Sequence, residues 1–253
     1  MRPAPEPAFA TPLRGAEAPS EQQLVDRLRA EGFVRLEADA MRSLLGAAAT
    51  SWNEFAATWD DLGLDRYMAD GGRYRRRRHA VFHVSGGRID RLPHQPHFQS
   101  RDYNPLNGGV ERWFEAVLAA TARHPILRRV LGLCDAVFTA AETGGGPQAW
   151  RVEIHQFRIE AAEGIGHPTP EGFHRDGVDW VFVMLVDRRN VDEGVTEIGR
   201  ADGASLGRFT LTNPGDAVLL DDRRVLHGVT PIRPAAPVTP AHRDVLVATF
   251  TAT

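Results

Sequence analysis

His174 and Asp176 stand one residue apart in "EGFHRDGVDW", immediately before an apolar run rich in β-branched and aromatic residues. In an extended segment side chains alternate, so the two would share one face while Arg175 points to the other. An imidazole and a carboxylate so placed are two ligands for one metal ion. Taken alone, they read equally well as polar caps on a turn. His227 in "DDRRVLHGVTPI" supplies a third ligand, since the fifty residues between it and Asp176 allow several strands to return it to the same end of a barrel. Two histidines and one carboxylate hold Fe(II) on one side and leave three positions open. Oxygen chemistry uses such positions, two for a bidentate co-substrate and one for O2. Arg243, fifteen residues beyond His227 at the head of "RDVLVATF", offers a planar guanidinium for the far end of that co-substrate. Arg233 in "TPIRP" is a rival that the following proline draws out of the strand.

These residues need a scaffold, and the patterning predicts one. From residue 148 onward short strands recur, among them "AWRVEIHQFRIE", "DWVFVMLVD", "DAVLLD" and "RDVLVATFTA", separated by turns such as "TNPGD". Seven strands in about a hundred residues predict a sandwich or barrel. Upstream, Ser20 and Gln23 form a capping-box pattern for a helix that Gly32 ends, followed by a strand at "FVRLE". A second helix is expected over residues 39–59, and a third from Val110 to Leu133, burying Trp113, Phe114, Val117 and Leu118 and disturbed by Pro125. "GGRYRRRRHAVFHVSGGRIDRL" suggests strands around a Gly-Gly turn, and "PHQPHFQSRDYNPLNGG" a long loop. Helices first and strands last predict an α+β chain with N-terminal helices packed against a β core. The expected organisation is a flexible leader over 1–19 and one domain over 20–253, helical and loop-rich to 147 and β from 148.

Composition narrows the function classes. The chain has 253 residues, 42% hydrophobic and 25% charged, with a net charge of −3, the range of an ordinary globular domain. The single Cys134 forms no intramolecular disulfide, and no signal-type or membrane-spanning apolar run is present, so a cytoplasmic setting without membrane association is expected. The run Arg75 to Arg78 could face nucleic acid. Set in a slightly acidic chain beside β-type residues, it reads better as a strand with Arg75 and Arg77 on one face and Arg76 and Arg78 on the other, and no nucleic-acid partner is expected. The remaining histidines, His79, His83, His94, His97, His155, His167 and His242, read individually as surface or core residues. Gln99 and Asn104 read as loop, with substrate contact as the lesser alternative, Trp180 and Phe182 as core, and Asp221 and Asp222 as the solvent end of a strand or, less readily, an acidic pair near a metal mouth.

In combination, HRDG, LHG fifty residues on and a downstream Arg resemble the Fe(II)- and 2-oxoglutarate-dependent dioxygenases, in particular the branch of free L-amino acid hydroxylases typified by L-isoleucine 4-hydroxylase. "RYRRRRHAVF" and "HFQSRDYNPLNGGVERWF" look like that branch's upstream signature, and the likeness extends over about residues 20 to 253. The resemblance implies a double-stranded β-helix of jelly-roll, cupin-like type. It implies His174, Asp176 and His227 as iron ligands and Arg243 as the anchor of the 2-oxoglutarate distal carboxylate. It also implies O2 as co-substrate and hydroxylation of a free, aliphatic L-amino acid with release of succinate and CO2. Related halogenases lack the carboxylate ligand, so Asp176 favours hydroxylation, or another oxidation such as sulfoxidation or ring closure, over halogenation. Many relatives place Ser two residues after the anchoring Arg where this chain has Val245, which leaves Thr249 or Thr196 to supply that hydroxyl. A small amino acid substrate would need an anionic and a cationic partner, for which Arg75 or Arg77 with Glu153, Gln156 or Asp179 are candidates; of these Arg75, Gln156 and Asp179 are the first choices. The sequence leaves a homo-oligomer open. Two other readings stay open: a dioxygenase of a peptide, protein or secondary metabolite, and a cupin-like metal-binding protein without oxygenase activity.

Overall fold

The computed structural model describes residues 12–13, 18–147, 149–237 and 240–253. The expected leader lies almost wholly outside these residues, although Leu13 forms an isolated parallel bridge to Leu36. Helix α1 (Glu21–Glu31) starts at the expected capping box and ends at Gly32 with φ +82°. Strand β1 (Phe33–Leu36) follows. The single helix expected over 39–59 is interrupted: α2 (Ala38–Leu45) and α3 (Trp52–Ala57) flank a 3-10 segment. The cause is Gly46, whose φ of 57° with ψ of −134° takes the chain out of helical geometry.

Strands β2 (Gly63–Leu64), β3 (Arg75–Ser85) and β4 (Arg88–Arg91) come next, the last two joined through Gly86 and Gly87 as expected. The helix expected from Val110 to Leu133 is corrected. Residues 110–118 are extended or irregular and contain β5 (Glu115–Ala116), α4 spans only Ala119–Ala122, and the long helix α5 runs Pro125–Ala141. Pro125 begins that helix rather than bending it, because its missing N–H and fixed φ suit the first helical position. Phe114 and Val117 are buried as expected, whereas Trp113 and Leu118 are exposed.

The downstream strands are β6 (Trp150–Glu160), β7 (Trp180–Arg189), β8 (Val191–Glu193), β9 (Val195–Gly199), β10 (Ser205–Thr210), β11 (Ala217–Asp221), β12 (Leu226–Val229), β13 (Ile232–Pro234) and β14 (His242–Ala252). The main sheet runs β1-β11-β7-β14-β6-β3-β2, with β4 and β5 added on β3; a smaller sheet is β10-β9-β12, and β13-β8 is a ribbon. The boundary at residue 148 therefore does not divide helices from β core, since β1 to β5 belong to the main sheet.

Period-two alternation assigns the faces. Trp180, Phe182, Met184, Leu246, Ala248 and Phe250 point outward into the core shared with α1, α2 and α5. Val181, Leu185, Val218, Leu220 and Val245 point inward and pack against Ile198, Leu206 and Phe209 of the smaller sheet. This is the two-sheet jelly roll of a double-stranded β-helix, with helices on the outer face of the larger sheet. Among the described residues, no helix is long and apolar enough to cross a membrane.

Candidate metal centre and anion pocket

His174 and Asp176 lie in the loop ahead of β7 rather than on a strand. The loop is tied to β12 by main-chain bonds in both directions, His174 N to His227 O and His227 N to His174 O, each 2.9 Å. Asp222, at the end of β11, accepts the main-chain N–H groups of Asp176 (3.0 Å), Gly177 (2.8 Å) and Val178 (3.1 Å). Gly177 is required here: its φ is +81°, and a Cβ would run into the ring of Tyr103.

The result is a compact donor set. Asp176 Oδ1 is 3.6 Å from His174 Nε2 and Oδ2 is 3.5 Å from His227 Nε2, and one donor atom from each residue lies within 4.8 Å of the others. His174 Nδ1–H donates to the Gly172 carbonyl at 3.0 Å, which leaves Nε2 facing the cluster. His227 Nδ1 faces Asp222 Oδ1 at 3.9 Å. Burial opposes charge on Asp176, yet the two histidines hold it ionised well below the usual carboxylate range. Burial likewise opposes charge on His174, but Asp176 and Glu171 outweigh it and raise that imidazole to about 9. Nitrogen and oxygen donors in this arrangement fit a first-row divalent ion with open positions.

The cluster opens into a cavity of about 400 Å³ between the two sheets, and Arg243 lines the same cavity. The residue is 2% exposed, and among the described residues its Nε and Nη2 have no hydrogen-bond partner. Burial, with the neighbouring Arg188, pushes this guanidinium down to about 10, so it is charged at neutral pH. A buried charge without a partner is strongly unfavourable, and an anionic ligand would supply one. The register gives the span. His227 pairs with Ile198 on β9, and a Cβ on Gly194, just before β9, would lie 3.8 Å from Arg243 Cδ. Four residues of strand, roughly 13 Å, thus separate the two levels. Thr196 and Thr249 both line the cavity, but Thr196 lies between the two levels, whereas Thr249 is six residues, roughly 20 Å, along β14 from Arg243. The rival Arg233 is 53% exposed at its side chain and pairs with Glu193 at 3.4 Å.

Of the substrate contacts expected from sequence, Arg75 lines the cavity, but Asp65 occupies its guanidinium at 2.8 Å. Arg77 also lines it, stacked against Phe114 and Phe157 with its Cζ 3.6 and 4.4 Å from the ring centroids. Gln156 is corrected: it points to the helix side, where it donates to the Thr58 hydroxyl at 3.0 Å. Its parity along β6 is that of Trp150, Val152 and Ile154, which face the helices. Asp179 is corrected as well, since it accepts Ala252 N–H at 2.8 Å, pairs with Arg223 at 3.4 Å and does not line the cavity. Asp222, expected on the solvent side, is 1% exposed.

Three features escaped the sequence reading. Gln99 donates to Asp176 O at 3.0 Å and Oδ1 at 3.3 Å. His79 and His155 are direct cross-strand partners on β3 and β6, and with His97 they gather around Glu153, whose Oε2 accepts from His79 at 2.8 Å and His97 at 2.7 Å. Arg112 and Glu171 line the cavity. The run Arg75 to Arg78 is not a surface patch, because Arg76 pairs with Glu160 and Arg78 with Asp61 and Glu115.

The sequence profile of the 2OG-Fe dioxygenase family matches residues 56–249. The chain is 26% identical over 156 residues to a 3(1)-hydroxy-L-isoleucine 4-dioxygenase of Pantoea ananatis (strain AJ13355), covering 61% of this chain and 63% of that protein. It is 24% identical over 155 residues to an L-isoleucine-4-hydroxylase of Bacillus thuringiensis, covering 61% and 64%. The chain thus matches just under two thirds of the length of either curated relative. The crystal structure of a bsmA homologue from Methylobium petroleophilum PM1 superimposes with a TM-score of 0.84 at 37% identity, covering 93% of this chain and 94% of that one.

Proposed function

This chain belongs to the 2OG-Fe dioxygenase family, whose members use Fe(II), 2-oxoglutarate and O2, and from that premise we propose that it hydroxylates a free aliphatic L-amino acid. The observation that carries the reading is that the His174, Asp176 and His227 donors and the unpaired Arg243 open into one cavity. A cavity of about 400 Å³ has the size of a small-molecule site. The amino-acid class rests on the two curated relatives, both named for oxygenation of isoleucine or its hydroxylated derivative.

In this reading His174, Asp176 and His227 hold the iron, and Arg243 grips the distal carboxylate of 2-oxoglutarate, with the Thr196 hydroxyl beside it. Iron held there supplies O2 activation coupled to the splitting of 2-oxoglutarate into succinate and CO2, one oxygen atom entering succinate and the other the substrate. The chain's share is positional. The Gly172 carbonyl fixes the His174 tautomer, Asp222 fixes the backbone under Asp176, and Val181, Val183 and Val218 form an apolar wall that limits water.

The test is succinate release from 2-oxoglutarate with Fe(II) and O2 across the free amino acids, with product mass recorded. An aliphatic amino acid should stimulate succinate and gain one oxygen atom, and Asp176→Ala should reduce both to background. Iron-loaded protein that no amino acid stimulates would sink the reading.

A further inference from the structure

We propose that Arg112 and Glu171 form a zwitterion clamp in the cavity, Arg112 taking the α-carboxylate of the amino acid and Glu171 its α-ammonium. The assignment rests on the amino-acid hydroxylase reading and follows from which charges in the pocket lack partners. Arg75 and Arg77 share the Asp65 carboxylate, at 2.8 and 3.6 Å. Arg243 is taken by the distal carboxylate of 2-oxoglutarate in that reading. Arg112 is 2% exposed, its Nε has no partner, and its one hydrogen bond to a side chain, Nη2 to Gln99 Oε1, is 3.4 Å long. Among the described residues no carboxylate lies within salt-bridge distance of it.

The acids sort in the same way. Glu153 already receives His79 and His97 on Oε2 and Arg151 on Oε1 at 3.2 Å. Glu171 has only Oε1 engaged, 3.5 Å from His174 Nε2, while Oε2 is buried without a partner. With Arg243 assigned to 2-oxoglutarate, the cavity presents, among the described residues, the Arg112 guanidinium and one free carboxylate oxygen of Glu171, the complement of an amino acid's two charges. Leaving either charge unmatched in a desolvated pocket is unfavourable, so the pair selects a ligand that carries both.

Gln99 fixes where that ligand sits. Its amide oxygen accepts from Asn104 at 3.0 Å and from Arg112, while its nitrogen donates to Asp176, so the amide cannot rotate without losing bonds at both ends. Arg112 is thereby held within about 9 Å of the Asp176 carboxylate, two hydrogen bonds and an amide apart.

The experiment pairs residue changes with ligand changes. Probes are L-isoleucine, L-leucine and L-valine, their α-amides, and the corresponding des-amino acids. Amino-acid-stimulated succinate is measured, and binding is followed by calorimetry with Mn(II) in place of iron. The wild type should prefer the acid to both analogues. Arg112→Gln should raise the KM and Kd for the amino acid about a hundredfold and erase the preference for acid over amide, as expected when one partner of a buried charge pair is removed. Arg112→Lys should recover part of the loss. Glu171→Gln should erase the preference for amino over des-amino ligand while keeping that for acid over amide. Should Arg112→Gln not fold, Arg112→Lys and Glu171→Gln carry the test. Retention of either preference in its matching variant overturns the clamp while the hydroxylase reading stands. Wild-type protein that no free amino acid stimulates overturns both.

Discussion

His174 and His227 exchange both of their main-chain hydrogen bonds, across fifty-two intervening residues. The backbone that carries the two imidazoles is therefore fixed by direct pairing, and the Gly172 carbonyl orients the His174 ring. Their ring centroids are 4.6 Å apart. Asp176 has no such pairing, and its position depends on Asp222, which collects three successive N–H groups under it.

Asp222→Ala should accordingly lower metal affinity about 10- to 100-fold, the usual consequence of losing an outer support of a metal site. Stability should fall by about 1–3 kcal/mol because buried donors lose their acceptor. Asp222→Asn, which keeps one carbonyl oxygen, should lose less of both. Metal titration followed by thermal unfolding checks this, and unchanged metal affinity in Asp222→Ala would remove Asp222 from the support of the site.

Arg243 leads to a prediction of opposite sign. Burial depresses its guanidinium to about 10, so folding disfavours its charged form; that unfavourable contribution is complete at neutral pH and is relieved as pH rises above about 10. Arg243→Met, of similar length and uncharged, should melt no lower than wild type when 2-oxoglutarate is left out. With Mn(II) present, 2-oxoglutarate at a hundred times its Kd should stabilise the wild type by about 2.7 kcal/mol and leave the variant unmoved. Equal stabilisation of both proteins would move the anchor elsewhere.

Asp65 is the counter-charge for two arginines. Burial alone would raise its carboxyl, but Arg77 and Arg75 outweigh it and hold it below the usual value. Its contribution to stability is therefore complete above the unfolded value of about 3.9 and is lost as pH falls through the lower folded value. Asp65→Asn should cost about 3–5 kcal/mol at neutral pH by leaving both guanidinium groups buried without their partner. Chemical denaturation at pH 7 and pH 3 measures it, and the variant's deficit should shrink at the lower pH.

The cluster of His174, Asp176 and His227 is legible because two of them stand one residue apart and the third follows an apolar strand that returns it to them. Arg243 was legible from its place at the head of β14. The placement of Arg112 and Glu171 in the cavity is not, because both sit in irregular segments where no periodicity reports direction. Gln156 could have been excluded: its parity matches Trp150, Val152 and Ile154, and that apolar set marks the helix side. The segment 110–118 has helical spacing of apolar residues, but tertiary pairing of β5 with β3 overrides it. Asp222 looked like a strand end facing water, and nothing local says that the metal loop folds over it.

The arginine run at 75–78 acquires a different meaning once folded. In the chain it has the signature of a protein that grips a polyanion. In the structure its outward members are neutralised by Glu160, Asp61 and Glu115, and its inward members add positive potential to a recess of about 400 Å³. A nucleic-acid duplex cannot enter such a recess, whereas a dicarboxylate can. Selectivity between the two classes of anion thus comes from access alone, and a protein of net charge −3 keeps its attraction for anions where only small ones are admitted.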